Sequence, residues 1–161
     1  MIYPPAPIEL RSWHQLKGLE EGEFLLQPKW DGRRAVSIPS EGVFSRRGKP
    51  VDKRPWKDLP IPNIPYAWDM EMMRDEIKPL DIMVEGTFPQ RLEIMRELNI
   101  LPVYEEVDSI EQVNERVSYW IGTGFCDGVV LKRKSTPYMS NKKSQIDCAD
   151  WIKVKYVLKR S

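Results

Sequence analysis

Strand-like segments in this chain are short, bounded by turn residues and more numerous than helical ones, and the two kinds do not alternate in a regular βαβ order. That order predicts an α+β domain of largely antiparallel sheets flanked by helices, because successive parallel strands would need a crossover between them. Residues 23–29 read as a strand running into the turn signal Asp31-Gly32, with 34–38 as its return. Residues 42–46 form another short strand before the turn at Gly48-Lys49-Pro50, and the proline-rich stretch 55–65 reads as a surface loop. Further strands are expected at 66–73, 80–85, 128–134 and 151–157. Pro4-Pro5-Ala6-Pro7 opens the chain as an extended arm, and 8–19 has weak helical character ending near Gly18.

Two helices are predicted. In 87–98, Phe88, Leu92, Met95 and Leu98 recur at helical spacing with a proline in the first turn. In 109–121, Ser109 and Gln112 form a capping-box pair, and Ile110, Val113, Val117, Trp120 and Ile121 form an apolar stripe that Gly122 stops. At 161 residues the chain has the size of one domain, spanning 1–161, and can bury a core without disulfides or structural metal.

Composition removes several function classes. Two cysteines, Cys126 and Cys148, are too few for a secreted disulfide framework, and the single His14 argues against zinc sites of the histidine-cysteine type. No apolar run reaches membrane-spanning length and no signal-peptide core opens the chain. The expectation is a soluble, monomeric protein of a reducing compartment such as the cytoplasm. Net charge is only +1, but its distribution is uneven. From Lys132 onward, Arg133, Lys134, Lys142, Lys143, Lys153, Lys155, Lys159 and Arg160 face only Asp147 and Asp150. Such asymmetry suits either a solvated lysine-rich face or a surface that meets a polyanion.

The segment Lys29-Trp30-Asp31-Gly32-Arg33-Arg34 places a lysine at a strand end before a tight turn. A lysine amine attacks only when it has lost its proton, and burial or neighbouring cations favour that form. Alone, such a lysine is ordinarily a solvated hairpin residue. Four further segments follow it in order. Ser45-Arg46-Arg47-Gly48 sets arginine before a glycine turn. Asp69-Met70-Glu71 puts two carboxylates on one strand face and Met70 on the other. Asp127-Gly128-Val129-Val130-Leu131-Lys132 places a carboxylate at the mouth of an apolar strand, and Trp151-Ile152-Lys153-Val154-Lys155 alternates lysines with apolar residues. Trp30, Trp56 and Trp68 fit either base stacking or packing.

This ordered set resembles the covalent nucleotidyltransferase superfamily, and most closely the adenylation domain of ATP-dependent DNA ligases, from about residue 23 to 156. The resemblance implies that Lys29 attacks the α-phosphate of ATP and carries AMP, with Gln27 and Pro28 against the adenine edge. It implies that Arg34 and Arg46 hold the ribose and later a 5′-phosphate, that Glu71 contacts sugar or metal, and that Asp127 binds a divalent cation, Mg2+ or Mn2+. Lys153 and Lys155 would bind the α-phosphate and stabilise its displacement; the uneven charge distribution, in turn, makes Lys142, Lys143, Lys159 and Arg160 the expected docking face for nicked duplex DNA, or RNA ends. Two positions depart from the ligase pattern: Asp127 stands where glutamate is usual, and Leu80 where an aromatic stacks on adenine. The oligonucleotide-binding barrel that follows in ligases is not among these residues, so the expectation is a nucleotidyltransferase core alone. An RNA ligase, a GTP-using capping enzyme and a binding module that has kept the fold share the same ordered set.

Overall fold

A computed structural model describes residues 1–159. In chain order the strands are β1 (Ala6–Glu9), β2 (Phe24–Trp30), β3 (Arg33–Ile38), β4 (Gly42–Ser45), β5 (Trp68–Met72) and β6 (Ile77–Ile82), then β7 (Glu105–Val107), β8 (Cys126–Arg133) and β9 (Asp147–Val154). The α-helices are α1 (Phe88–Glu97) and α2 (Ile110–Gly122). The segments fall into two compact units. No helix among the described residues is long and apolar enough to cross a membrane.

One unit comprises Met1–Ala6, Gly32–Pro102 and Pro137–Asp147. Its sheet runs β4-β3-β5-β6, antiparallel throughout. Ala35, Val36, Trp68 and Met70 are wholly buried, so the middle strands are covered on both faces. Helix α1 begins in a full capping box: the Thr87 hydroxyl accepts from the Gln90 N–H, and the Gln90 side chain accepts from the Thr87 N–H. Two of the orphan donors of the first turn are thereby satisfied. Phe88, Leu92 and Met95 are buried as the spacing predicts, and Arg91 completes the inward face. A buried guanidinium needs a partner, and Asp81 supplies it at 2.8 Å, both side chains being fully enclosed.

The other unit comprises Pro7–Asp31, Val103–Thr136 and the chain from Cys148 on. Its sheet runs β1-β9-β8-β2-β7. Phe24 and Leu26 of β2, Val129 and Leu131 of β8, and Ile152 and Val154 of β9 share a core with Val113 and Val117 of α2. Each such side chain contributes about 1.5–3 kcal/mol on burial. The Ser109 hydroxyl caps α2 by accepting from the Gln112 N–H. Instead of closing the predicted box on Ser109, Gln112 accepts from the Asp108 N–H and donates to the Glu106 carbonyl.

Fold class follows the sequence reading, with four local differences. Residues 8–19 form β1 and a 3-10 turn at Trp13–Leu16 in place of a helix, because Trp13, Leu16 and Leu19 recur at intervals of three. The strand expected at 80–85 is β6, three residues earlier; Pro79 is tolerated because β6 is an edge strand. The last strand is β9, which starts at Asp147 and ends at Val154; its residues 151–154 pair with β8, and its other neighbour in the sheet is β1. Strand β7 escaped prediction; its three residues join the sheet through Phe24 opposite Val107.

Candidate functional site

Cross-strand partners share a sheet face, so the register of β2, β8 and β9 places the predicted residues directly. Leu25, Lys132 and Trp151 form one row, and Gln27, Val130 and Lys153 the next. Lys29 lies two residues beyond Gln27 and Lys155 two beyond Lys153, so the alternation carries both along the same side of this unit. Pro28 is different. It pairs with Val129, which pairs with Val154, and both valines belong to the core. The pleat therefore sets Pro28 on the face opposite Gln27 and Lys29.

The register shifts at the end of this row. From the Pro28–Val129 pair to the Trp30–Cys126 pair, β2 advances two residues while β8 advances three. Asp127 and Gly128 thus stand together opposite Lys29, the arrangement of a β-bulge, which re-aims a side chain that strict alternation would point away. Gly128 has φ +144, and a Cβ there would meet the Val154 carbonyl oxygen at 2.1 Å. Only glycine permits that approach.

The result is a charge cluster. The Lys29 ammonium donates to both Asp127 carboxylate oxygens, at 3.0 and 3.2 Å, and Lys155 Nζ lies 3.8 Å from Asp127 Oδ2. Side-chain exposures of 24% for Lys29, 38% for Asp127 and 42% for Lys155 leave these groups in contact with solvent. Ion pairs this wet contribute at most about 1 kcal/mol, so a ligand can open them. Two ammonium groups thus meet one carboxylate, and the register puts Lys153 on the same face in the adjacent row. Such a surplus suits an anion with several oxygens. Lys132, deeper in the row, is buried with its Nζ 3.9 Å from the Trp151 ring centroid, an arrangement that sequence reasoning missed.

In the other unit the carboxylates of β5 are engaged structurally. Arg34 grips Asp69 through two hydrogen bonds, at 3.0 and 2.6 Å, and also donates to the Pro5 carbonyl. Burial pulls the Arg34 pKa down, but the adjoining Asp69 outweighs it, with Tyr138 and Glu71 adding, so the group is held above its ordinary value. The Tyr138 hydroxyl donates to Asp69 at 2.9 Å. Burial, reinforced by the Asp69 charge, pushes its pKa well above the ordinary tyrosine value. Nothing local in the sequence marks the partner of Tyr138, which lies 69 residues away. Glu71 sits opposite Arg34 and accepts from the Gly32 N–H at 3.0 Å. Gly32 also approaches closely: a Cβ there would lie 2.6 Å from the Met72 carbonyl oxygen. Leu80 is the extra residue of a bulge, because Met70 pairs with Pro79 and Asp69 with Asp81.

Among the remaining predicted residues, Arg46, Lys142, Lys143 and Lys159 are exposed, and Arg160 lies outside the described residues. Trp68 is buried, and Trp30 packs edge-on against Trp120 at 5.4 Å, so both are packing residues. Among the described residues no three acidic, histidine or cysteine side chains are grouped to enclose a metal ion. Asp127 offers a single hard-oxygen ligand. That fits a divalent cation carried mainly by a nucleotide's phosphates and by water, and does not fit a cage built by protein.

No protein-family profile matches the chain. No curated protein sequence matches it either. Solved structures do. A Lig E DNA ligase, described in work on DNA binding with a minimal scaffold, superimposes with TM-score 0.69 at 17% identity, over 93% of this chain and 68% of the ligase. A Chlorella virus DNA ligase-adenylate gives TM-score 0.68 at 16% identity, over 95% and 68%. The ATP-dependent DNA ligase of bacteriophage T7, in complex with ATP, gives 0.58 at 15%, over 94% and 68%. At these identities the likeness establishes the fold: the chain has the nucleotidyltransferase fold of ATP-dependent DNA ligase cores.

Proposed function

We propose that the chain is an adenylating core of a polynucleotide ligase, with Lys29 as its nucleophile. The single observation that carries this reading is the Lys29–Asp127–Lys155 cluster beside Lys153 on one sheet face, in a chain with a ligase fold. The amine bonds to the α-phosphorus of ATP, the bond from that phosphorus to pyrophosphate breaks, and the amine gives up a proton. Asp127, hydrogen-bonded to the amine within 3.2 Å, is placed to orient it and to accept that proton. Lys153 and Lys155 offset the charge that builds on the α-phosphate. A divalent cation, Mg2+ or Mn2+, would neutralise phosphate charge and favour departure of pyrophosphate, with Asp127 as its ligand from this face. AMP then passes to a 5′-phosphate end, and a 3′-hydroxyl displaces it to close a nick in duplex DNA. Roles for Gln27, Pro28, Arg34, Arg46, Glu71 and Leu80 at the nucleotide rest on the ligase resemblance. Pro28 is the weakest of these, because its side chain lies on the core side of the sheet.

The test is covalent labelling. Incubated with Mg2+ and α-labelled ATP or GTP, the wild type takes up label from ATP that stays with the denatured protein and has the acid lability of a phosphoramidate, and Lys29→Ala takes up none. Uptake by Lys29→Ala would remove the assigned nucleophile. A wild type that binds ATP reversibly but never retains label would instead be a nucleotide-binding module of this fold. With adenylation established, sealing of a nicked DNA duplex against joining of RNA ends sets the substrate.

A further inference from the structure

The loop after β4 carries a second, separate concentration of charge. From residue 46 to 58 the chain has six cations, Arg46, Arg47, Lys49, Lys53, Arg54 and Lys57, against Asp52 and Asp58. All six cations are exposed. Arg54 is paired with Asp58 at 3.1 Å, and among the described residues none of the other five has an ion-pair partner. The loop is nonetheless well held. The buried Ser45 hydroxyl accepts from the Arg47 and Lys49 N–H groups, the Val51 N–H returns to the Val43 carbonyl, and the Lys57 N–H closes on the Lys53 carbonyl. Below it, the Arg33 guanidinium covers the Trp56 ring at 5.1 Å from the centroid.

Five unpaired cations on a fixed loop repel one another, and a polyanion relieves that repulsion. Three kinds of polyanion are available: a phosphodiester backbone, an acidic protein and an anionic membrane. Membrane docking also draws on apolar insertion, and protein interfaces on an apolar centre. No large apolar side chain from residue 39 to 65 is exposed. Phosphate binding needs none, since it is electrostatic and independent of sequence. We infer that the loop from Arg47 to Lys57 is a docking surface for the phosphate backbone of a nucleic acid. The inference deepens the ligase reading by locating where its substrate is held, and it moves that role from the lysines nominated by sequence to the loop after β4.

The test compares wild type with Lys49→Gln/Lys53→Gln/Lys57→Gln and with Lys142→Gln/Lys143→Gln, using a nicked DNA duplex without ATP across a salt titration. Every phosphate that a variant no longer neutralises reduces the slope of log K against log salt by about 0.9. The loop variant is expected to flatten that slope by about 2–3, with an unchanged thermal midpoint and undiminished labelling by ATP alone. Wild-type salt dependence in the loop variant, or a weakening confined to Lys142→Gln/Lys143→Gln, overturns the inference while leaving adenylation standing. Binding of phosphatidylserine vesicles or polyglutamate without binding of duplex overturns it too. Absence of label from wild type would count against the ligase reading alone, because duplex binding is measured without nucleotide.

Discussion

The two units use charge in opposite ways. On the face formed by β2, β8 and β9, Lys29, Asp127 and Lys155 stay partly in water and bond weakly, with two ammonium groups to one carboxylate. In the other unit, Asp81 meets Arg91 and Asp69 meets Arg34 and Tyr138, and both carboxylates are fully enclosed. Charge left unmatched and wet is available to a ligand. Charge that is buried and matched fixes the fold and is costly to disturb.

The sharpest way to break this contrast is to remove one partner of the most buried pair. Asp81→Ala leaves the Arg91 guanidinium enclosed without its counter-ion, a loss of about 3–5 kcal/mol. Denaturant unfolding measures it, and a loss under about 1 kcal/mol would mean that the pair is not enclosed. Gly128→Ala comes next. It forces a side chain into the left-handed region and against the Val154 carbonyl, with an expected loss of at least about 2 kcal/mol. It should also reduce adenylate formation, since the bulge aims Asp127. Unaltered stability and labelling together would remove the bulge from the explanation.

Tyr138→Phe is smaller and depends on pH. The missing hydrogen bond to Asp69 lowers stability by about 1–2 kcal/mol near neutrality. In the native chain the hydroxyl keeps its proton to higher pH than in the unfolded chain, because burial and Asp69 raise its pKa. Its contribution is therefore complete below the ordinary tyrosine value near 10 and fades as pH rises above it. The gap between wild type and Tyr138→Phe should narrow above that pH. A constant gap would place the hydroxyl in solvent.

Much of the architecture was legible because it is local. Alternation located β2, β3 and β5 and set Asp69 and Glu71 on one face, and helical spacing located α1 and α2. What stayed hidden depends on distant partners. Arg91 looks like a surface residue until Asp81 meets it, and Tyr138 looks like loop until Asp69 does. The bulge at Asp127 follows from how β8 registers with β2, which no single strand encodes. Strand β7 is too short and too acidic to announce itself, and Pro79 disguised β6. Of the predicted site residues, Gln27, Lys29, Asp127, Lys153 and Lys155 share one face, while Pro28 does not, because alternation turns every second side chain away.

Peptide mapping after incubation with ATP and Mg2+ reaches the central claim most directly. The expected result is one adenylate per chain, carried by the peptide that contains Lys29 and released by added pyrophosphate. An adenylate found on Lys153 or Lys155, or a chain that stays unmodified at saturating ATP, contradicts it.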